Sequence, residues 1–65
     1  MIVTVNGEQR EVSATTLAEL IEELHLQTRR CATMVNGTVV RKERRAEHRL
    51  QEKDQIDIIS MVGGG

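Results

Sequence analysis

Apolar and polar residues alternate at the start of the chain in a pattern typical of a β-hairpin. Residues 2–5 read Ile-Val-Thr-Val and precede Asn6-Gly7. This pair favours a type I′ turn, because both central residues of that turn have positive φ. A polar run then leads to Val12. We predict a hairpin whose second strand closes at Val12, with Val3 and Val5 on one face.

A single amphipathic helix is predicted after the hairpin. Its apolar positions recur at i, i+3, i+4 and i+7 and define one buried face: Leu17, Leu20, Ile21 and Leu24. Thr16 and Glu19 match a capping box, in which a hydroxyl and a carboxylate accept hydrogen bonds from free amides at the helix start. We expect the helix to end within residues 25–27.

A second hairpin is predicted in the middle of the chain. Residues 31–35 and 38–40 have strand-like composition and flank Asn36-Gly37, a turn signal of the same kind as the first. Alternation alone leaves open which of Met34 and Val35 faces the core.

The last third combines a charged segment with a final strand. Residues 41–49 contain no large apolar side chain, so we predict a surface excursion with room for a helical turn. Leu50 returns to the core, and residues 51–54 form a turn. Residues 56–62 are predicted to form the last strand. Its inward-facing residues are Ile56 and Ile58.

The element order β-β-α-β-β-β predicts an α+β fold, in which one crossover helix covers one face of a mixed sheet. The natural closure places the last strand beside the first, parallel to it, in the middle of the sheet. This is the β-grasp, or ubiquitin-like, arrangement. We predict a single domain over residues 1–62 and a flexible C-terminal tail over residues 63–65.

Composition narrows the class of protein. The 65 residues include no Phe, Tyr or Trp, so the chain lacks the aromatic platform on which single-stranded nucleic acids stack. A lone cysteine excludes an internal disulfide, and no cysteine and histidine cluster has zinc-binding spacing. The start, MIVTVNG, does not resemble a signal peptide, and no apolar run reaches the length of a membrane span. We therefore expect a cytoplasmic protein with no metal and no membrane partner.

The charges are unevenly distributed along a chain whose net charge is −1. Residues 29–49 hold seven of the nine basic side chains and two of the ten acidic ones. Such a dipolar surface would suit oriented docking to a charged partner. A solvated surface of mixed charge is the alternative, and the pattern leaves both open.

No constellation of residues predicts an independent active site. Cys31 lacks a histidine and a carboxylate in a pattern that would activate it, which favours a half-buried structural thiol. His25 and His48 stand in polar surroundings and are expected to face solvent. The terminal glycines precede no helix, so they form no phosphate-binding loop. We expect a protein that is not an enzyme and binds no cofactor of its own.

Three glycines follow the last strand directly: Gly63, Gly64 and Gly65. Ordered glycine costs more backbone entropy than any other residue, so a terminal glycine run is useful when the end itself acts. Such a tail can lie extended in a narrow channel and present its carboxylate to another protein. The alternative is an unstructured end without a role. Near the tail, Ile59, Met61 and Val62 are expected to bind partners, although cover of a minor core or a strand bulge remains open.

Four segments, taken in order, carry a resemblance to a known family. Residues 16–20 (TLAEL) are similar to a T-[LV]-x-[ED]-L helix opening, and residues 34–41 (MVNGTVVR) resemble A-V-N-x-x-[IV]-V-P-R. Residues 54–58 (DQIDI) resemble D-x-I-x-[IL], and residues 62–65 match a V-G-G-G end. Together they resemble the ubiquitin-like sulfur carriers, most closely the ThiS family of thiamine biosynthesis. The bulky aromatic that is common in the family's charged segment is absent here.

The resemblance implies that this chain is a protein-bound cosubstrate. A ThiF-type enzyme would use ATP to adenylate the Gly65 carboxylate, which Gly64 and Gly63 would deliver as an access tether. Sulfur from a cysteine desulfurase or another sulfur-transfer protein would then displace AMP. The resulting thiocarboxylate would donate sulfur to thiazole synthase (ThiG).

Rival functions share the same fold. A sulfur carrier for molybdopterin or cysteine synthesis would start from the same adenylate, and so would a ubiquitin-like modifier that is conjugated to lysines. The short length and the VGGG end favour the thiamine branch. A nucleic-acid-binding module is disfavoured by the near-neutral net charge and the lack of aromatic residues.

Overall fold

The computed structural model describes residues 1–25 and 31–60 of the chain. A 3₁₀ helix over Lys42–Arg44 supplies the helical turn expected in the charged segment. The other elements of the described residues are β1 (Ile2–Val5), β2 (Glu8–Glu11), α1 (Leu17–Glu23), β3 (Cys31–Val35), β4 (Thr38–Val40) and β5 (Gln55–Ser60). The predicted order of elements is therefore confirmed.

The five strands form one mixed sheet in the order β2-β1-β5-β3-β4. The last strand, β5, lies in the centre, parallel to β1 and antiparallel to β3. This is the closure that the sequence predicts for a β-grasp fold. Both two-residue turns also have the predicted geometry, because Asn6 and Asn36 have φ of 51° and 53° and the glycine after each has φ of 85°.

The core lies between one face of the sheet and α1. Leu17, Leu20 and Ile21 are fully buried, which confirms the apolar face of the helix. From the sheet, alternate residues of β1 and β5 meet them, in line with the period of two along a strand. The structure also decides the open question in β3, because Val35 is buried while Met34 is half-buried on the other face.

The start of α1 is capped as predicted, with one difference. The Thr16 hydroxyl accepts a hydrogen bond from the Glu19 amide at 3.2 Å. The Glu19 carboxylate accepts from the amide and the hydroxyl of Thr15, at 2.8 and 2.9 Å, so it binds the residue before the cap. These bonds to Thr15 hold the pKa of Glu19 below its ordinary value of 4.5. The helix ends at Glu23 with Leu24 as its C-cap, and the next residue, His25, has a φ of 59°.

The charged segment is not wholly a surface excursion, and the prediction is wrong at Arg45. This side chain is 4% exposed. Its Nε donates to the Thr33 hydroxyl at 3.1 Å and its Nη2 donates to the carbonyl of Cys31 at 2.6 Å. Because a guanidinium offers five N–H donors in a fixed fork, it can join strand groups that no short side chain could reach. Arg45 therefore belongs to the interior and not to a basic surface.

Candidate docking site at the end of the sheet

The C-terminal half of β5 divides its side chains between two faces. Ile56 and Ile58 are buried, as predicted, while Asp57 and Ile59 are exposed on the opposite face. Ile59 is 54% exposed, which confirms its expected position on the outer face. The other predicted site residues, Met61, Val62, Gly63, Gly64 and Gly65, lie outside the described residues.

The asparagines of both turns hold β5 in place. Asn6 uses its side-chain amide to bond the N–H and the C=O of Ile58. Asn36 accepts a hydrogen bond from the Gln55 amide at 3.0 Å and donates to the Asp54 carboxylate at 2.9 Å. Asn6 and Asn36, which favour the geometry of the two turns, thus also hold β5, the strand that leads to the predicted tail.

The sheet face that α1 does not cover carries an apolar patch, which we call the open-face patch. Its members share this face across β5, β3 and β4: Ala32, Met34, Val39 and Ile59. Ala32 lies opposite Ile59, and Met34 lies opposite Val39 on one side and Asp57 on the other. Val39 is 63% exposed. The exposed aliphatic surface with an adjacent carboxylate suits contact with another protein.

Sequence reasoning found Ile59 but missed the rest of the open-face patch. A signal was present in the second hairpin. A two-residue turn fixes the register, so Met34 must pair with Val39 once Asn36-Gly37 forms the turn. With Val35 turned inward, both members of that pair must face outward.

The charged segment contributes less positive surface than its composition indicates. Arg45 is buried, and Arg44 forms an exposed ion pair with Glu47 at 3.4 Å. Arg29 and Arg30 lie outside the described residues. The remaining exposed cations of the segment are Arg41, Lys42 and Arg49. This distribution favours a solvated surface of mixed charge over a dedicated basic docking site.

Residues 1–25 and 31–60 contain few cysteine or histidine side chains that could act as nucleophiles, bases or metal ligands. Cys31 is half-buried at the start of β3, in keeping with the expected structural role. His25 is exposed and His48 is half-buried. No group of three or more metal-ligating side chains was found in these ranges. They also contain no helix of the length and hydrophobicity that a membrane span requires.

Comparisons with known proteins agree on one family. The sequence profile of the ThiS family matches residues 3–65. The crystal structure of the thiamine biosynthesis protein ThiS from Geobacter metallireducens is similar over all of both chains, with a TM-score of 0.86 and 26% identity. The solution structure of a thiamine biosynthesis protein from the same organism has a TM-score of 0.80 and 26% identity, covering all of this chain and 88% of that one.

One curated relative is a much longer protein. The chain is 33% identical over 66 residues to thiazole synthase of Paramagnetospirillum magneticum, a match that includes the whole chain. The chain spans only 20% of the length of that relative. The similarity therefore concerns one part of the larger protein.

Proposed function

The chain belongs to the ThiS family, and we propose that it carries sulfur for the formation of the thiazole ring in thiamine biosynthesis. A ThiF-type enzyme adenylates the Gly65 carboxylate with ATP, and the acyl group then becomes a thiocarboxylate. Thiazole synthase takes the sulfur. The family consists of small sulfur carriers and not of catalysts, so ATP and the catalytic groups belong to the partners.

The observation that carries the proposal is the family match over residues 3–65, which includes all three glycines of the tail. The β-grasp structure, shared with ThiS over the full length of both chains, supports it. The thiazole synthase relative adds support for the partner, because a region similar to this chain lies within that protein. It also favours the thiazole branch over carriers for molybdopterin or cysteine synthesis.

The proposed chemistry requires an activated carboxyl carbon at an unhindered residue. The carboxylate of Gly65 attacks the α-phosphorus of ATP, and pyrophosphate leaves. A persulfide from a cysteine desulfurase or a sulfur-transfer protein attacks the acyl adenylate, and AMP leaves. A thiol then reduces the new sulfur–sulfur bond and frees the thiocarboxylate. Glycine has no side chain to block these attacks and no stereocentre to epimerise.

The described part of the chain provides a rigid base for this chemistry. β5 is bonded on both sides as far as Ile58 and ends beside the open-face patch, which offers the activating enzyme an apolar contact. Gly65 lies five positions after Ser60, so the carboxylate can reach about 17 Å beyond the sheet when the tail is extended. Docking and reaction can therefore occur at separate places on one partner.

Intact mass spectrometry tests the proposal. The chain is incubated with ATP, a ThiF-type enzyme, a cysteine desulfurase and cysteine, beside a variant that lacks Gly64 and Gly65. We expect the mass change of one oxygen replaced by sulfur, located at Gly65 and absent from the shortened variant. An unchanged mass with an enzyme that is active on its own carrier would contradict the proposal. An adduct that joins Gly65 to lysine would assign the chain to the protein modifiers instead.

A further inference from the structure

The strand that leads to the tail extends beyond its parallel neighbour. β1 ends at Val5, which pairs with Ile56, whereas β5 continues to Ser60. On its other side, β5 remains paired with β3 as far as Ser60, which lies opposite Cys31. The end of β5 is thus covered on the β3 side, while no described strand lies beside it on the β1 side.

The register shows which backbone groups point toward this uncovered side. The Asn36 amide donates to the carbonyl of Gln55, and hydrogen-bonded pairs recur at every second residue of an antiparallel ladder. The backbone N–H and C=O groups of Asp57 and Ile59 therefore point toward β3. The backbone groups of the intervening residues point toward β1. The Ile56 carbonyl accepts from the Asn6 backbone amide at 2.9 Å, and the N–H and C=O of Ile58 both bond the Asn6 side chain. The next residue with this orientation is Ser60. Its N–H and C=O therefore point past the end of β1.

A hollow at the end of β1 and β2 shares Asn6 with this edge. Its volume is about 370 Å³, and the described residues that line it are aliphatic, charged or, at Asn6, an amide: Val5, Asn6, Glu8, Arg10 and Leu24. Asn6 belongs both to the wall of the hollow and to the hydrogen bonds with Ile58. A backbone edge and a side-chain pocket thus adjoin at one residue. This combination is what strand addition uses, because main-chain bonds provide affinity and pockets for alternate side chains provide specificity.

We propose that the β1 side of Ser60 is a strand-addition edge for an extended segment of the enzyme that activates Gly65. One aliphatic side chain of that segment enters the hollow beside Asn6. The inference rests on the proposed function, which identifies the occupant. Because Gly65 lies within about 17 Å of Ser60 along an extended tail, an enzyme that holds the carboxylate must also approach this edge. The peptide groups of an extended segment complement the N–H and C=O of a strand edge, and no described strand bonds those of Ser60 on the β1 side.

A proline substitution tests the edge without breaking the sheet. Ser60→Pro removes the N–H that faces the β1 side, while the hydrogen bonds of β5 to β3 involve other residues. Ser60→Ala keeps that N–H and is the matched control. Binding of the carrier to a ThiF-type adenylating enzyme is measured by calorimetry without ATP. We expect the dissociation constant of Ser60→Pro to rise about three- to tenfold, the effect of one hydrogen bond, and that of Ser60→Ala to stay at the wild-type value.

Hydrogen exchange of the wild-type chain provides a second readout that does not depend on the variant folding. The Ser60 amide is expected to exchange more slowly in the complex than in the free carrier. Equal binding by wild type and Ser60→Pro, or unchanged exchange at Ser60, would overturn the edge proposal and leave the proposed function intact. Failure of the wild-type chain to bind the enzyme or to gain sulfur would overturn both. A carrier dimer that Ser60→Pro dissociates, with unchanged enzyme binding, would assign the edge to a second copy.

Discussion

Asn6 and Ile58 are joined by two hydrogen bonds across 52 residues of sequence: Asn6 Nδ2 donates to the Ile58 carbonyl at 3.1 Å, and Asn6 Oδ1 accepts from the Ile58 amide at 2.8 Å. The side-chain amide takes the place that a further residue of β1 would occupy. It continues the parallel pairing past the point where the chain turns into β2. The anchoring of β5 therefore depends on a turn residue.

Replacement of Asn6 is expected to weaken the fold through this contact. Asn6→Gly keeps the positive φ of the turn but removes both hydrogen bonds, so the free energy of unfolding should fall by about 1–3 kcal/mol. Urea denaturation measures the change. Asn6→Asp is the informative companion, since it keeps an acceptor for the Ile58 amide but places a second oxygen near the Ile58 carbonyl. Equal stability of Asn6→Gly and wild type would mean that the pairing contributes nothing.

Arg45 is expected to be much more important to stability than its charged neighbours. Arg45→Met preserves an apolar stem but removes the donors to the buried Thr33 hydroxyl and to the part-buried Cys31 carbonyl, so we expect a loss of about 2–4 kcal/mol. Arg44→Met serves as the control, because Arg44 is exposed and its ion pair with Glu47 lies on the surface, worth about 0–1 kcal/mol. Urea unfolding curves for both variants should separate them clearly. Similar losses in the two would refute a structural role specific to Arg45.

Lys53 occupies the left-handed region with φ of 71°, where a side chain is strained. Glycine avoids that penalty of about 1–2 kcal/mol but loses more entropy on folding, about 0.5–1 kcal/mol. We therefore expect Lys53→Gly to stabilise the chain by up to about 1 kcal/mol, visible as a higher urea midpoint. Glu52→Gly next to it should bring no gain, since Glu52 has negative φ and accepts from the Ile2 amide. A lower midpoint for Lys53→Gly would contradict the strain argument.

The stability of the chain should depend on the ionisation of Glu19. The hydrogen bonds from Thr15 lower the folded-state pKa of Glu19. Its contribution to the free energy of unfolding is therefore complete above the ordinary pKa of 4.5 and is lost as the pH falls through the folded-state pKa. Glu19→Gln can still accept from the Thr15 amide but does not titrate in this window. Urea midpoints of wild type and Glu19→Gln should therefore converge as the pH falls from neutral to acidic. Parallel curves would show that Glu19 does not carry this dependence.

The open-face patch should affect binding without affecting folding. Ile59→Ser is expected to weaken binding to the ThiF-type enzyme about tenfold, in the range of an apolar contact at an interface, while unfolding stays near wild type. Ile2→Ser is the matched control, since Ile2 is another exposed isoleucine, 40% accessible, on β1 beyond the patch. Calorimetry with the enzyme would compare the two. An equal effect of both substitutions would argue against the patch as the docking surface.

Local signals explain which parts of the fold could be predicted from the sequence. The two Asn-Gly turns, the capping residues of α1 and the alternation of β5 depend on neighbours within a few residues, and each agrees with the structure. Arg45 could not be predicted in the same way, because its burial depends on groups of β3 that lie 12 and 14 residues away. A basic residue within a basic run resembles surface until those partners are placed.

The candidate site shows the same limit. The second role of Asn6 was hidden because the turn already explains why asparagine stands there. The open-face patch could be predicted only in part. The position of Ile59 follows from alternation along one strand, whereas those of Met34 and Val39 depend on the pairing of two strands. The reaction at Gly65 and the role of Gly63 and Gly64 as its access tether stay predictions from sequence and family resemblance.

The position of β5 has a consequence for synthesis of the chain. Without this strand, the sheet falls into two separate hairpins, β1-β2 and β3-β4, and an isolated hairpin is marginally stable in water. A ribosome must therefore translate and release β5 before the domain can close. A product that stops short of β5 would remain unfolded and open to proteolysis, so only chains extended through Ser60 would persist as folded domains.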